Sequence, residues 1–251
     1  MKHPKGVIIS QLILVSIVAL VSLFYKPTYQ FSGKSNVLDS LFMLILLLFV
    51  MNVLLGLLRE VGMKLLLSIF YFLSITYFLY QFTGYIAPLL ALILISIKFK
   101  VFDVIYHDLL EMMTYIGFVW LLTPALPNVW MLFGFAIALA IYDFISVFKT
   151  KHMISLLKLQ MKIGAPTALI IPYSKHKAAI LGGGDVIITA LLTVGTSRFG
   201  ILSSIATLVG ACIGILVLQI FGKKKKVYPA LPTIVGFALL SFALSLLFQK
   251  L

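Results

Sequence analysis

Residues 129–148 read Val-Trp-Met-Leu-Phe-Gly-Phe-Ala-Ile-Ala-Leu-Ala-Ile-Tyr-Asp-Phe-Ile-Ser-Val-Phe, an apolar run broken by one charge, Asp143. As a helix it is about 30 Å long, the thickness of a bilayer's hydrocarbon core. A carboxylate inside such a span costs about 2.5–3.5 kcal/mol on insertion scales, so it marks a site rather than a chance of composition.

Eight further apolar segments surround it: Val7–Tyr25, Leu38–Leu58, Leu65–Gln81, Tyr85–Ile97, Val104–Leu122, Ala178–Thr196, Phe199–Ile220 and Pro229–Phe248, with Val129–Phe148 sixth in order. The 251 residues are 62% hydrophobic and 11% charged, where a soluble domain carries about 25% charged residues. The reading is an all-α polytopic membrane protein with nine transmembrane helices and one domain over residues 1–251. Spans one to six lie at 7–148, a cytoplasmic connection at 149–177 and spans seven to nine at 178–248. The first run is too long for a signal-peptide core and lacks a small-residue cleavage site, so it reads as a retained span. The fourth, at 85–97, is short for a bilayer.

The net charge of +13 does not point to nucleic acid, because the basic residues cluster between spans. With the N-terminus in the cytoplasm, sixteen of the twenty Lys and Arg fall inside and only Lys26, Lys34, Arg198 and Lys250 outside. The positive-inside rule therefore predicts a cytoplasmic N-terminus and an external C-terminus. Lys223 to Lys226 reads as a topology anchor. Cys212 is the sole cysteine, which excludes an intrachain disulfide or a cysteine metal cluster. His3, His107, His152 and His176 have no metal-ligand spacing, and His107 reads as a span-end residue. No metal or cofactor is expected.

Of seven acidic residues, Asp39, Glu60 and Asp103 fall at span ends or in loops, and Asp108 and Glu111 in the first turns of the fifth span. Asp143 and Asp185 alone sit well inside apolar segments. Asp143 lies six residues before Lys149 and Asp185 eight after Lys177, about 9 and 12 Å along a helix. Consecutive spans run in opposite directions, so both carboxylates reach a similar depth. Gly182, Gly183 and Gly184 remove side chains ahead of Asp185 and let another backbone approach it. Two carboxylates close together in low dielectric share one proton and titrate as a unit. Such a pair can activate water and protonate a carbonyl oxygen, which hydrolyses a peptide bond without a covalent intermediate. It can also serve a proton-coupled transporter or cation channel, which stands as the alternative; the missing inverted repeats weigh against it.

Three motifs in order carry a family resemblance: Tyr142-Asp143 in the sixth span, Gly182-Gly183-Gly184-Asp185 in the seventh and Pro229-Ala230-Leu231 at the start of the ninth. The chain resembles the presenilin and signal-peptide-peptidase family of intramembrane aspartyl proteases, in its prokaryotic and especially archaeal form, over nearly its whole length. The resemblance implies that Asp143 and Asp185 are catalytic, with Tyr142, Gly182, Gly183, Gly184, Pro229, Ala230 and Leu231 shaping the substrate site. A second Pro-Ala-Leu, at 124–126, falls on the opposite face and receives no role. Pro229 and Pro232 keep the last span's start irregular, leaving backbone groups free.

The family cleaves transmembrane helices after local unwinding, and an unwound segment can pair with a strand edge. Thr167–Pro172 is the candidate strand, with Thr167, Leu169 and Ile171 as binding residues. The implied partners are transmembrane-helix proteins and the lipid bilayer, without obligatory subunits. The implied location is a prokaryotic cell membrane, in the presenilin orientation. Prepilin-type peptidases share Gly-x-Gly-Asp but usually have fewer spans and no comparable Pro-Ala-Leu helix.

Overall fold

The computed structural model describes residues 5–24, 60–100, 103–126, 128–150, 152–164, 166–174, 177–221 and 228–249. The predicted span Leu38–Leu58 and the Lys223 to Lys226 run lie outside the described residues. Helices α1 (Lys5–Phe24), α2 (Glu60–Thr83), α3 (Ala87–Lys100), α4 (Val104–Leu122), α5 (Val129–Ile145) and α6 (His152–Lys162) come first. A hairpin of β1 (Ala168–Ser174) and β2 (Lys177–Gly182) follows, then α7 (Gly183–Thr196), α8 (Ile201–Phe221) and α9 (Leu231–Phe248).

Five stretches of the described residues are long and apolar enough to cross a membrane: Gly6–Phe24, Gly62–Lys100, Val129–Lys149, Ile201–Ile220 and Leu231–Phe248. The second of these holds α2 and α3, which fold back on each other. The molecule is a multi-pass helical membrane protein. Its outward faces carry apolar stripes at helical spacing, such as Ile9, Ile13 and Ile17 on α1 and Leu240, Leu244 and Leu247 on α9, all exposed. In water these stripes would be an aggregation hazard; against lipid tails they are at home.

The predicted span Ala178–Thr196 is not one helix. Residues 178–182 belong to β2, paired antiparallel with β1 in the register Ala168↔Gly182, Ile170↔Ile180 and Pro172↔Ala178. A short apolar run such as Ala178–Leu181 satisfies either period, so sequence alone does not separate strand from helix there. Helix α7 keeps 14 residues, about 21 Å, and forms the axis of the bundle. It packs on α1, α4, α5, α8 and α9, and every residue from Ile188 to Thr196 is buried. Its threonines are satisfied within the helix: Thr189 Oγ1 donates to Asp185 O at 2.8 Å, and Thr193 Oγ1 to Thr189 O at 2.8 Å. Helices α8 and α9 cross closely at Gly214, where a Cβ would lie 2.8 Å from Ile234 Cα.

A satellite core joins α2, α3 and α4 around Met63, Leu67, Tyr71, Ile75, Ala91, Ile95 and Leu110, with Leu156 and Leu159 of α6 packed against it. Lys98, read from sequence as a loop cation, is buried there in an ion pair with Glu111, also buried. It is therefore no topology marker, and the charge bias survives its removal. His107 lies at the start of α4, at a span end as expected, and is buried.

Candidate active site

Helix α5 is capped by Asn128, whose side chain accepts from Trp130 N–H at 3.0 Å. It carries Asp143 to its last turn, beside a π-helical turn at Ser146–Thr150. The carboxylate is buried, and its Oδ2 accepts from the backbone N–H of Leu231 at 3.2 Å; the Ala230 amide also hydrogen-bonds to it. The first amides of a helix have no partner within it, and they sit at the positive end of its dipole. Asp143 thus caps α9, whose helix begins only at Leu231, with Pro232 in its first turn. Ala230 and Leu231 meet the carboxylate through their main chain, and Pro229 directly precedes them. Tyr142, one residue earlier, is half-buried.

Asp185 is in the first turn of α7, not well inside a helical span as the apolar run Ala178–Thr196 predicts. Gly182 caps this helix in an extended conformation, and Gly183 N–H closes on Thr167 O at 3.0 Å. A Cβ on Gly183 would lie 2.6 Å from Tyr115 Oη and 2.9 Å from Thr167 O, so the turn has room only for hydrogen. A Cβ on Gly184 would meet nothing within 4 Å. Asp185 is close enough for the charge on Asp143 to act on it. The structure therefore gathers Asp143, Asp185, the three glycines and the Pro-Ala-Leu segment. The other Pro-Ala-Leu, at 124–126, lies before α5, at the end remote from Asp143.

A cavity of about 200 Å³ borders Asp185, lined by Ile180 of β2, Ala230, Tyr228 and two glutamines, Gln11 of α1 and Gln219 of α8. Gln219 Nε2 donates to Gln11 Oε1, while Gln219 Oε1 is buried without a hydrogen-bond partner. These glutamines escaped the sequence reading, which followed charge alone; an amide inside an apolar span is the weaker form of the same signal. Among the described residues no three His, Cys, Asp or Glu side chains group as a metal site would require.

The hairpin presents its other strand to this cavity. The groups that β1 turns away from β2 are occupied: His107 Nε2 lies 3.0 Å from Ala168 O, and Asp108 Oδ1 accepts from Ile170 N–H at 2.9 Å. Leu169 is fully buried and Ile171 half-buried, and the Thr167 N–H and hydroxyl both bond Gln160 Oε1. Thr167, Leu169 and Ile171 therefore do not form an open edge. Because neighbouring residues of a strand point their backbone groups to opposite sides, Ala178, Ile180 and Gly182 form the outer edge of β2.

The family described as signal-peptide peptidase, presenilin aspartyl protease matches residues 5–251. No curated protein matches the sequence. Two solved structures of a presenilin family intramembrane aspartate protease share the fold. The one in the C222 space group has a TM-score of 0.70 and 20% identity, covering 96% of this chain and 99% of that one. The one in the P2 space group has a TM-score of 0.69 and 21% identity, covering 99% of each. Nothing in these comparisons supports a transporter.

Proposed function

This chain belongs to the signal-peptide peptidase and presenilin family of intramembrane aspartyl proteases, and on that footing we propose that Asp143 and Asp185 are its catalytic pair. The observation that carries this reading is Asp185 on a cavity edged by an open strand, within electrostatic reach of Asp143. One carboxylate, ionised, takes a proton from water as the water oxygen bonds to the scissile carbonyl carbon. The other, protonated, gives its proton to the carbonyl oxygen. The diol collapses as the first proton passes to the amide nitrogen, the C–N bond breaks, and a diol hydroxyl returns its proton to the second carboxylate.

The substrate is a transmembrane helix, unwound where it is cut. Unwinding strands backbone groups that lipid cannot satisfy. The outer edge of β2, at Ala178, Ile180 and Gly182, supplies partners by strand addition. Gln11 and Gln219 offer further hydrogen bonds across the cavity. Pro229, Ala230 and Leu231 hold Asp143 in place, and Tyr142 borders it. Residues 1–251 act as one membrane domain of nine spans in a prokaryotic cell membrane, without partner subunits. The N-terminus is cytoplasmic on the charge bias, which favours substrates whose own N-terminus lies outside.

The test is cleavage of a reconstituted transmembrane peptide by wild type, Asp143→Asn and Asp185→Asn. Each substitution lowers the rate by about 10²–10⁴-fold or more while the protein stays folded. Cleavage that survives either one removes that aspartate from the chemistry.

A further inference from the structure

Behind the hairpin lies a second polar cluster that acid–base catalysis does not use. Glu111 of α4 is fully buried. Its Oε1 accepts from Tyr71 Oη of α2 at 2.5 Å and pairs with Lys98 Nζ of α3. Lys98 Nζ also stands 4.0 Å from the centroid of the Tyr71 ring. A buried ion pair is a poor way to gain stability, since apolar residues of similar volume often do as well or better. Sealing three polar groups from three helices here serves placement instead.

What they place is visible on the same face of α4. His107 Nε2 is 3.9 Å from Glu111 Oε1 and 3.0 Å from Ala168 O. A carbonyl only accepts, so Nε2 carries the proton and donates it to Ala168 O, while Glu111 Oε1 lies against the same ring edge as an electrostatic neighbour. Asp108 holds Ile170 N–H at 2.9 Å. One turn beyond Glu111, Tyr115 sets its hydroxyl against Gly183, two residues before Asp185. One face of α4 thus grips β1 at two backbone atoms and abuts the first turn of α7.

We infer that Glu111, fixed by Lys98 and Tyr71, is a positioning residue that, through His107 and Asp108, sets the register of the hairpin against Asp185 and so selects which substrate bond is cut. The inference rests on β2 as the substrate's pairing edge. A strand advances about 3.3 Å per residue, so a displaced hairpin presents a neighbouring peptide bond to the aspartates. Loss of the anchor consequently appears in the identity of the products and not in their amount alone.

The experiment maps cleavage products of a reconstituted transmembrane peptide by mass spectrometry, using the full chain, with thermal unfolding confirming that each variant is folded. Asp108→Leu and Glu111→Gln move cleavage to neighbouring bonds and lower kcat by up to about 10²-fold. Asp108→Asn keeps an oxygen for Ile170 N–H and keeps the wild-type bond. The double variant Lys98→Met/Glu111→Gln leaves no unpaired charge, yet still cuts at displaced bonds. Tyr71→Phe deletes one donor and gives the same displacement in smaller measure. Folded variants that all cut at the wild-type bond, whatever their rate, overturn the inference. Wild-type cleavage that persists in Asp185→Asn overturns the protease assignment of the pair instead, so the two failures are distinct.

Discussion

Leu231 donates its backbone N–H to Asp143 Oδ2 at 3.2 Å, tying a carboxylate at the end of one helix to the first turn of another 88 residues later. The contact separates two substitutions that activity alone would not. Asp143→Asn retains an oxygen for Leu231 and folds with wild-type stability, whereas Asp143→Ala leaves buried donors unsatisfied and costs about 1–3 kcal/mol. Thermal unfolding in detergent distinguishes them, and neither cleaves peptide.

Adjacent glycines part company in the same way. Gly183→Ala drives a methyl into Tyr115 and Thr167 and destabilises the fold by about 1–3 kcal/mol. Gly184→Ala meets open space and shifts stability by no more than about 0.5 kcal/mol. If Gly184 borders substrate, as the family motif implies, cleavage by Gly184→Ala nonetheless falls; unfolding curves and peptide cleavage read the two effects separately.

The proposed acid–base pair predicts a rate of cleavage that is bell-shaped in pH. At low pH both carboxylates are protonated and no base remains; at high pH both are ionised and no acid remains. Peptide cleavage measured across pH, with folding checked at each point, shows both limbs. A profile flat on the acid side would mean that the base is not one of these carboxylates.

Ile180→Pro removes a backbone donor from the outer edge of β2 while the inner ladder to β1 is spared. Cleavage efficiency falls by about tenfold, the worth of one lost hydrogen bond, with the melting temperature near that of wild type. Ala179→Pro, which strikes the inner ladder, lowers both. Equal stability losses in the two variants would place the free edge elsewhere.

The two aspartates proposed as the catalytic pair are legible because charge is rare inside apolar spans and each stands out from its neighbours. Lys98 and Glu111 are not. Each lies near a predicted span end, where a charge reads as solvated, and only the packing of α3 against α4 makes them a buried pair. The strand at Ala168–Ser174 overlaps the candidate strand Thr167–Pro172. Its partner was hidden inside an apolar run continuous with α7. Sequence does not show which edge of the hairpin is covered, because that depends on His107 and Asp108, some 60 residues away in sequence.

The Leu231 contact also has a bearing on how the protein is made. Ribosomes deliver Asp143 and Asp185 to the membrane well before residues 229–231 follow them. Until then the first carboxylate lacks the amides that hold it. Until α9 docks, the proposed pair therefore lacks a contact that holds it, and the order of synthesis delays assembly of the site.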